Sequence, residues 1–239
     1  MGFHFDTEKG NVVLINKPLE WTSFDVVNKI RYALLRYLHR THGDLPGVKR
    51  KVKVGHAGTL DPLATGLLVV CMGKQTKGID AYMATEKEYT GIIYLGATTP
   101  SYDRETQVNA TFDIGHITSE MIKEVAQQFV GEQQQLPPVF SAIKKDGKKL
   151  YESARAGVDI TPEPRTIHIH SFDITEVALP FVHFRVVCSK GTYIRSLAYD
   201  FGKALKSVAY LHELCRTRSG DFRLTDAYEL ADFIKLLEV

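Results

Sequence analysis

The sequence predicts an α+β fold in which a mixed, mostly antiparallel central sheet is flanked by helices and loops. Short runs of β-forming residues and amphipathic segments of helical spacing follow one another in an irregular order. A doubly wound parallel fold would instead show regular alternation of the two. Between residues 55 and 239 nothing is typical of a linker. We therefore expect one domain spanning residues 1–239.

The first elements are a buried strand at residues 11–16 and the helix that follows it. Ser23 is expected to cap this helix, with Asp25 in its first turn. Apolar residues then keep helical spacing at Val26, Val27, Ile30, Leu34 and Leu38. Residues 39–54 break the pattern with glycine, proline and a basic run, which predicts an exposed basic loop inserted into the domain.

The later elements follow from the same two patterns. Further strands are predicted at residues 67–71, 87–96 and 181–188, where β-formers cluster. Helices are predicted at residues 118–130, after the glycine turn at Gly191, and at about 226–237. Gly131 is the expected stop of the first of these helices.

Composition excludes several classes of protein. The hydrophobic fraction of 44% suffices for a core, and Lys+Arg minus Asp+Glu gives a net charge of +2. Any basic surface must therefore come from local clustering. Three scattered cysteines argue against a disulfide framework. The N-terminus lacks a signal pattern, and no apolar run has the length of a membrane span, so we expect a cytoplasmic protein.

Metal and cofactor sites are not indicated. His168 and His170 could offer two imidazoles on one strand face, but no third ligand lies nearby in the sequence. Two half-exposed strand histidines are the favoured interpretation. We expect no metal and no cofactor.

One segment carries a candidate catalytic residue. Residues 55–66 (GHAGTLDPLATG) contain three glycines, one proline and a single carboxylate, Asp61. The composition alone is equally compatible with a tight surface turn. However, the segment lies between a basic run and a predicted buried strand, the kind of scaffold that positions functional loops. A lone acid also disfavours the paired-carboxylate chemistry of glycosidases.

Two further segments are candidates for contact with a polyanion. Residues 136–157 concentrate lysines and an arginine around Phe140 and Tyr151. They are either a solvated surface or an arm that follows phosphates. Residues 188–195 place Tyr193 and Arg195 after a glycine turn. These are either a half-buried tyrosine and a surface arginine, or a stacking ring and a partner for a carboxylate.

Taken together, these segments resemble the TruB family of tRNA pseudouridine synthases, and the resemblance covers most of the chain. Five motifs occur in the family's order, and the segment with Asp61 is similar to the catalytic motif almost letter for letter. The motifs are Leu14–Pro18 with Trp21–Ser23, residues 55–68, Lys87–Tyr89, residues 137–157 and residues 188–195. The resemblance implies the pseudouridine synthase fold.

The resemblance also implies an isomerase that converts uridine-55 in the T-loop of tRNA to pseudouridine. The base is detached from its ribose, rotated and rejoined through carbon, and Asp61 aligns with the aspartate nucleophile that starts this reaction. Arg195 aligns with an arginine that keeps that carboxylate charged and aimed. Tyr89 aligns with a tyrosine that stacks on the base and helps to remove its C5 proton. Attack on ribose C1′ and attack on base C6 both stay open.

Other positions are assigned by the same alignment. The target base must be flipped out, at a cost of a few kcal/mol that stacking and phosphate contacts can offset. Tyr193 aligns with a second substrate-contacting tyrosine, His56 with a histidine that supports the everted loop, and Leu214 with a pocket residue. An RNA-gripping segment at about 131–157 includes Lys144, Lys148 and Arg155.

The chain departs from many family members because it ends at Val239, directly after the last predicted helix, without a PUA domain. We expect the catalytic domain to grip RNA by itself, helped by the loop at 39–54. We also expect it to act on tRNA as a monomer, without a guide RNA or a membrane. The alternatives are a non-catalytic tRNA-binding or tRNA-folding protein and a subunit of a guide-RNA particle.

Overall fold

The structure is a computed structural model that describes residues 3–42, 52–141, 144–145, 148–149 and 162–238. Its strands are β1 (Asn11–Lys17), β2 (Val54–Ala57), β3 (Ala64–Met72), β4 (Lys87–Leu95), β5 (Ala97–Thr98), β6 (Ala110–Thr111), β7 (Gly131–Gln135), β8 (Lys144–Lys145), β9 (Lys148–Lys149), β10 (Arg165–Ala178), β11 (Phe181–Cys188), β12 (Ala209–Ser219), β13 (Phe222–Arg223) and β14 (Tyr228–Glu229). Its helices are α1 (Ser23–His42), α2 (Ile79–Met83), α3 (Ser119–Gln128), α4 (Ile194–Ala204) and α5 (Leu230–Glu238). Short 3-10 helices span Gly73–Gly78 and Leu224–Asp226.

The chain forms two compact units. The first contains Met1–Lys87 and Cys215–Val239, and the second contains Glu88–Leu214. Strands β4 and β12 each pass from one unit into the other.

In the first unit, β1 lies between β14 and β3 in the sheet. It runs antiparallel to β3, from the pair Asn11 and Met72 to the pair Lys17 and Gly66, and parallel to β14. Strand β2 also pairs antiparallel with β3. The core is formed by one face of α1, which buries all five apolar positions predicted for it, together with Phe233, Ile234 and Leu237 of α5.

In the second unit, the strands follow the order β4-β11-β10-β7. The pairs β11–β10 and β10–β7 are both antiparallel. An aromatic cluster fills the core, because Phe172 of β10 contacts Phe184 of β11, Phe201 of α4 and Phe129 after α3. Antiparallel pairs therefore dominate and β1–β14 is parallel, which confirms the predicted mixed sheet.

Three predictions about elements need correction. Thr22, not Ser23, caps α1: its hydroxyl accepts a bond from the Asp25 amide at 3.0 Å, and the Asp25 carboxylate accepts one from the Thr22 amide at 2.9 Å. The helix continues through residues 39–42, which were expected to lie in the basic loop. The last helix begins at Leu230 rather than about 226. Residues 43–51 of the predicted loop lie outside the described residues.

Candidate active site

Asp61 lies in the connection between β2 and β3 of the first unit. The connection turns tightly, because the Ala64 amide donates to the Asp61 carbonyl at 3.1 Å. Asp61 itself is partly exposed, whereas Leu60 before it and Ala64 after it are buried. The loop therefore presents a carboxylate at a surface while its backbone is anchored inside the unit. We call residues 58–66 the Asp61 loop.

A buried lysine holds one side of this loop. The Lys17 ammonium donates to the carbonyl oxygens of Trp21 at 2.6 Å, Pro18 at 2.9 Å and Pro62 at 3.3 Å. The side chain has no exposed surface. Burial lowers the pKa of Lys17 to about 8, and the negative charge of Asp61 acts in the opposite direction. The charge of Asp61 therefore favours the protonated form of Lys17.

A buried arginine holds the two ends of the loop. Arg216 donates from Nε to the Leu67 carbonyl at 2.7 Å and from one terminal nitrogen to the Gly58 carbonyl at 3.0 Å. Gly58 has φ +92°, and a Cβ there would lie 3.3 Å from the guanidinium. Glycine at this position thus meets both a backbone and a packing requirement.

His56 lies on β2, directly before the Asp61 loop. Its ring is half-buried. Burial lowers the pKa of His56, the charge of Arg216 adds to this effect, and a backbone hydrogen bond with Gly58 opposes it. The imidazole is therefore neutral at pH 7 and can accept a hydrogen bond as well as donate one.

In the second unit, Arg195 lies in the first turn of α4. It is 4% exposed, so the interpretation as a surface arginine was wrong. The guanidinium donates to the carbonyls of Ser101 at 3.2 Å and Phe140 at 2.9 Å, and its Nε lies 3.6 Å from the Asp103 carboxylate, which is also buried. These partners fix the plane of the guanidinium.

Tyr193 is held by its backbone just before α4. The buried Gln135 accepts a bond from the Tyr193 amide at 2.8 Å and donates one to the Tyr193 carbonyl at 3.0 Å. The guanidinium of Arg165 lies 5.4 Å from the centre of the Tyr193 ring. The ring is partly exposed, as a stacking residue requires.

The remaining predicted residues are distributed as follows. Tyr89 is buried on β4, and Leu214 is half-buried on β12, both in the second unit. Lys144 and Lys148 lie in the short hairpin of β8 and β9. Arg155 lies outside the described residues.

The histidine pair on β10 is the candidate metal site that the sequence suggests. The rings of His168 and His170 lie 4.7 Å apart. Among the described residues no cluster of three or more His, Cys, Asp or Glu side chains is placed to hold a metal ion. No helix in that part of the chain is long and apolar enough to cross a membrane.

Comparison with known proteins decides the family. A sequence model for the TruB family pseudouridylate synthase (N terminal domain) matches residues 47–194. A protein of Flavobacterium johnsoniae named tRNA pseudouridine synthase B is 54% identical over 230 residues, which cover 96% of this chain and 97% of that one. The chain belongs to the TruB family of pseudouridylate synthases. Its relative of the same name in Phocaeicola vulgatus is 50% identical over 97% of this chain and 94% of that one.

Solved structures extend the TruB assignment to the fold. A chain in the crystal structure of a Cbf5-Nop10-Gar1 complex matches with a TM-score of 0.68 and 30% identity over 94% of this chain. A chain in an H/ACA RNP bound to a substrate RNA containing 2'-deoxyuridine matches with a TM-score of 0.65 and 28% identity. This chain spans about half the length of both, at 53% and 52%. The predicted pseudouridine synthase fold is confirmed.

Three buried charged residues that hold the candidate site residues in place were not predicted from the sequence. Lys17 belongs to the first of the five motifs but is given no role by the resemblance, and Arg216 and Asp103 lie in none of the motifs. A signal existed for Lys17, because it directly follows the buried strand predicted at residues 11–16. Arg216 lies among other polar and charged residues and had no such signal. Asp103 lies in an irregular loop and had no such signal.

Proposed function

We propose that this protein is a tRNA pseudouridine synthase that isomerises uridine-55 in the T-loop of tRNA, with Asp61 as its nucleophile. The observation that carries the proposal is the Asp61 loop, where a single carboxylate is presented from a backbone anchored by buried side chains. Membership of the TruB family supports it, as do the names of relatives matched over nearly their whole length.

The reaction is a net isomerisation. The bond between ribose C1′ and base N1 breaks, a bond between C1′ and C5 forms, the C5 proton leaves and N1 gains a proton. No oxidant or reductant is consumed. An aspartate is charged at neutral pH and can act as the nucleophile in this scheme, whether it attacks ribose C1′ or base C6.

Arg195 and Tyr89 are proposed to complete the catalytic set. A guanidinium held by Ser101, Phe140 and Asp103 is ordered before substrate arrives, so it can stabilise and aim a carboxylate without being organised first. The phenol of Tyr89 offers a ring for the target base and an oxygen for the C5 proton. The pairing of Arg195 with Asp61 stays a prediction.

RNA binding is proposed for Tyr193, His56 and Leu214, and for the cations Lys144, Lys148 and Arg155. The partly exposed ring of Tyr193 suits stacking, and the lysine-bearing hairpin suits phosphate contact. We further propose that the protein acts without a guide RNA, because it covers 97% of a relative named tRNA pseudouridine synthase B but about half of the solved RNP chains. A monomeric, cytoplasmic enzyme stays the expectation from the sequence.

The test is release of tritium from C5-labelled uridine in a T-loop transcript. The wild type should release tritium without any added guide RNA. Asp61→Asn should lower the rate by at least about 1,000-fold, because the amide is a poor nucleophile. Asp232→Asn on α5 is the matched control, since that aspartate is exposed and forms a surface ion pair with Lys235.

Each other outcome has a distinct meaning. Retained turnover in Asp61→Asn would reject that residue as the nucleophile. A wild type that binds tRNA but releases no tritium would identify a non-catalytic binding or folding protein. Activity that requires an added guide RNA would identify a subunit of a guide-RNA particle.

A further inference from the structure

Ser23 is placed to act on the Asp61 loop. It lies in the first turn of α1 and is 2% exposed. Its hydroxyl accepts a hydrogen bond from the Leu60 amide at 2.8 Å and donates one to the Leu60 carbonyl at 3.1 Å. One side chain thus satisfies both backbone groups of a single buried residue. Because Thr22 caps the helix, Ser23 is not needed for that task.

The hydrogen bonds of Ser23 act on the peptide that directly precedes the Asp61 Cα. The Leu60 carbonyl belongs to the peptide plane that also contains the Asp61 amide nitrogen. Fixing that carbonyl fixes the Asp61 nitrogen and Cα, and the hydrogen bond from the Ala64 amide to the Asp61 carbonyl restrains the next peptide plane. The two restraints together set the direction in which the Cα–Cβ bond of Asp61 points. Lys17 and Arg216 bind other carbonyl oxygens, at Pro62 and at the two ends of the loop.

Because Leu60 is buried, its backbone groups depend on the Ser23 hydroxyl for these hydrogen bonds. Leu60 is 3% exposed, so water is not at hand to replace a lost hydrogen bond. If the hydroxyl is removed, the Leu60 peptide can regain partners only by rotating or by moving toward solvent. Either movement would redirect Asp61.

We propose that Ser23 is a positioning residue that sets the aim of the Asp61 carboxylate through the Leu60–Asp61 peptide. This role rests on the proposed function, in which Asp61 reacts with the RNA. Misplacement of a reacting group by about 1 Å can lower a rate by about 100-fold. Ser23 therefore governs the chemical step and not the binding of tRNA.

The test compares Ser23→Ala with Thr22→Ala. Both remove one hydroxyl from the start of α1, but within the described part of the chain only the Ser23 hydroxyl forms hydrogen bonds with the Asp61 loop, whereas that of Thr22 bonds to Asp25. With enzyme in excess, Ser23→Ala should lower the single-turnover rate of tritium release by about 10- to 100-fold, with the tRNA dissociation constant unchanged. Thr22→Ala should weaken the helix start and keep the rate within about two-fold of the wild type.

A second measurement follows the loop directly. Amide hydrogen exchange in peptides covering residues 58–66 should accelerate in Ser23→Ala, whereas Thr22→Ala should accelerate exchange only in the first turn of α1. Ser23→Cys, which keeps a weak donor and acceptor, should recover part of the lost rate. This variant also covers the case in which Ser23→Ala does not fold.

The outcomes keep the two proposals apart. A wild type without tritium release rejects the proposed function, and the positioning role with it. A normal wild-type rate combined with an unchanged Ser23→Ala rate rejects only the positioning role. Equal rate losses in Ser23→Ala and Thr22→Ala would also overturn it, because they would trace the effect to helix stability.

Discussion

Arg195 illustrates how one residue can be recognised from sequence while its supporting contacts cannot. Its place after the glycine turn and its match to a TruB block singled it out. The groups that hold it, the Ser101 and Phe140 carbonyls and the Asp103 carboxylate, come from distant parts of the chain. Partners so far apart in sequence leave no local pattern. The predicted roles of the site residues therefore came from the resemblance, and the contacts that support those roles came from the structure.

Replacing Asp103 by asparagine tests whether the negative charge of Asp103 helps to hold the Arg195 guanidinium in place. The amide keeps the shape of the side chain but removes the negative charge beside a buried guanidinium. Loss of a charged partner in a buried pair is costly, and because the amide retains one hydrogen-bond acceptor we expect a loss of about 1–3 kcal/mol in the free energy of unfolding. The single-turnover rate should fall by about 10-fold or more, since Arg195 is less firmly aimed.

Asp173→Asn is the control for this change. Asp173 lies 3.4 Å from Arg185 in an exposed pair, with 51% and 43% of the two side chains accessible. Such surface pairs contribute little to stability. Urea unfolding and tritium release should both match the wild type. An Asp103→Asn protein that behaves the same way would show that Arg195 is held in place without the Asp103 charge.

At the scale of elements, periodicity predicted four helices and the strands β1, β3, β4 and β11, but it missed other strands, among them the 11-residue β12. All five apolar positions of α1 are buried, as their spacing indicated. The start of that helix was assigned to the wrong hydroxyl, because Ser23 and Thr22 are both common caps and only geometry separates them. The short strand β7 was missed because its sequence, GEQQQ, carries no apolar alternation.

Strand β3 offers a test of how closely the Asp61 loop is packed. Gly66 has φ +98°, and a Cβ there would lie 2.4 Å from the carbonyl oxygen and 2.7 Å from the nitrogen of Arg216. Gly66→Ala must therefore strain its own backbone and displace the residue that binds Leu67 and Gly58. Left-handed strain of about 1–2 kcal/mol and overpacking of about 1–3 kcal/mol together predict a loss of about 2–5 kcal/mol in the free energy of unfolding.

Gly131→Ala separates these two contributions. Gly131 has φ +106°, and a Cβ there would meet no atom within 4 Å. The Gly131→Ala variant should lose only the part of the free energy of unfolding that is due to backbone strain, about 1–2 kcal/mol. Urea denaturation of both variants measures the difference. Equal losses would mean that Arg216 moves aside without cost, and that the loop is not closely packed at this point.

At the scale of the whole molecule, the sequence predicted the fold class correctly from irregular order and local patterning. It did not predict strand order, because the pairing of β1 with β14, or of β10 with β7, joins segments separated by long stretches of chain. The division into two compact units also has no local signature, since β4 and β12 run across its boundaries without a break. The expectation of a single domain stays a prediction.

Binding of a whole tRNA also depends on the charge distribution of the whole molecule. A chain with a net charge of only +2 must concentrate its cations to bind a polyanion. If the hairpin of β8 and β9 contacts phosphates, the double variant Lys144→Ala/Lys148→Ala should weaken tRNA binding and reduce the slope of log affinity against log salt by about 1.4–1.8. The single-turnover rate at saturating enzyme should change little, because the hairpin grips RNA and does no chemistry. Lys235→Ala, on α5 and paired with Asp232, should leave the slope unchanged. A double variant with a wild-type slope would move the RNA-gripping role away from these lysines, to Arg155 or to the basic residues of 43–51.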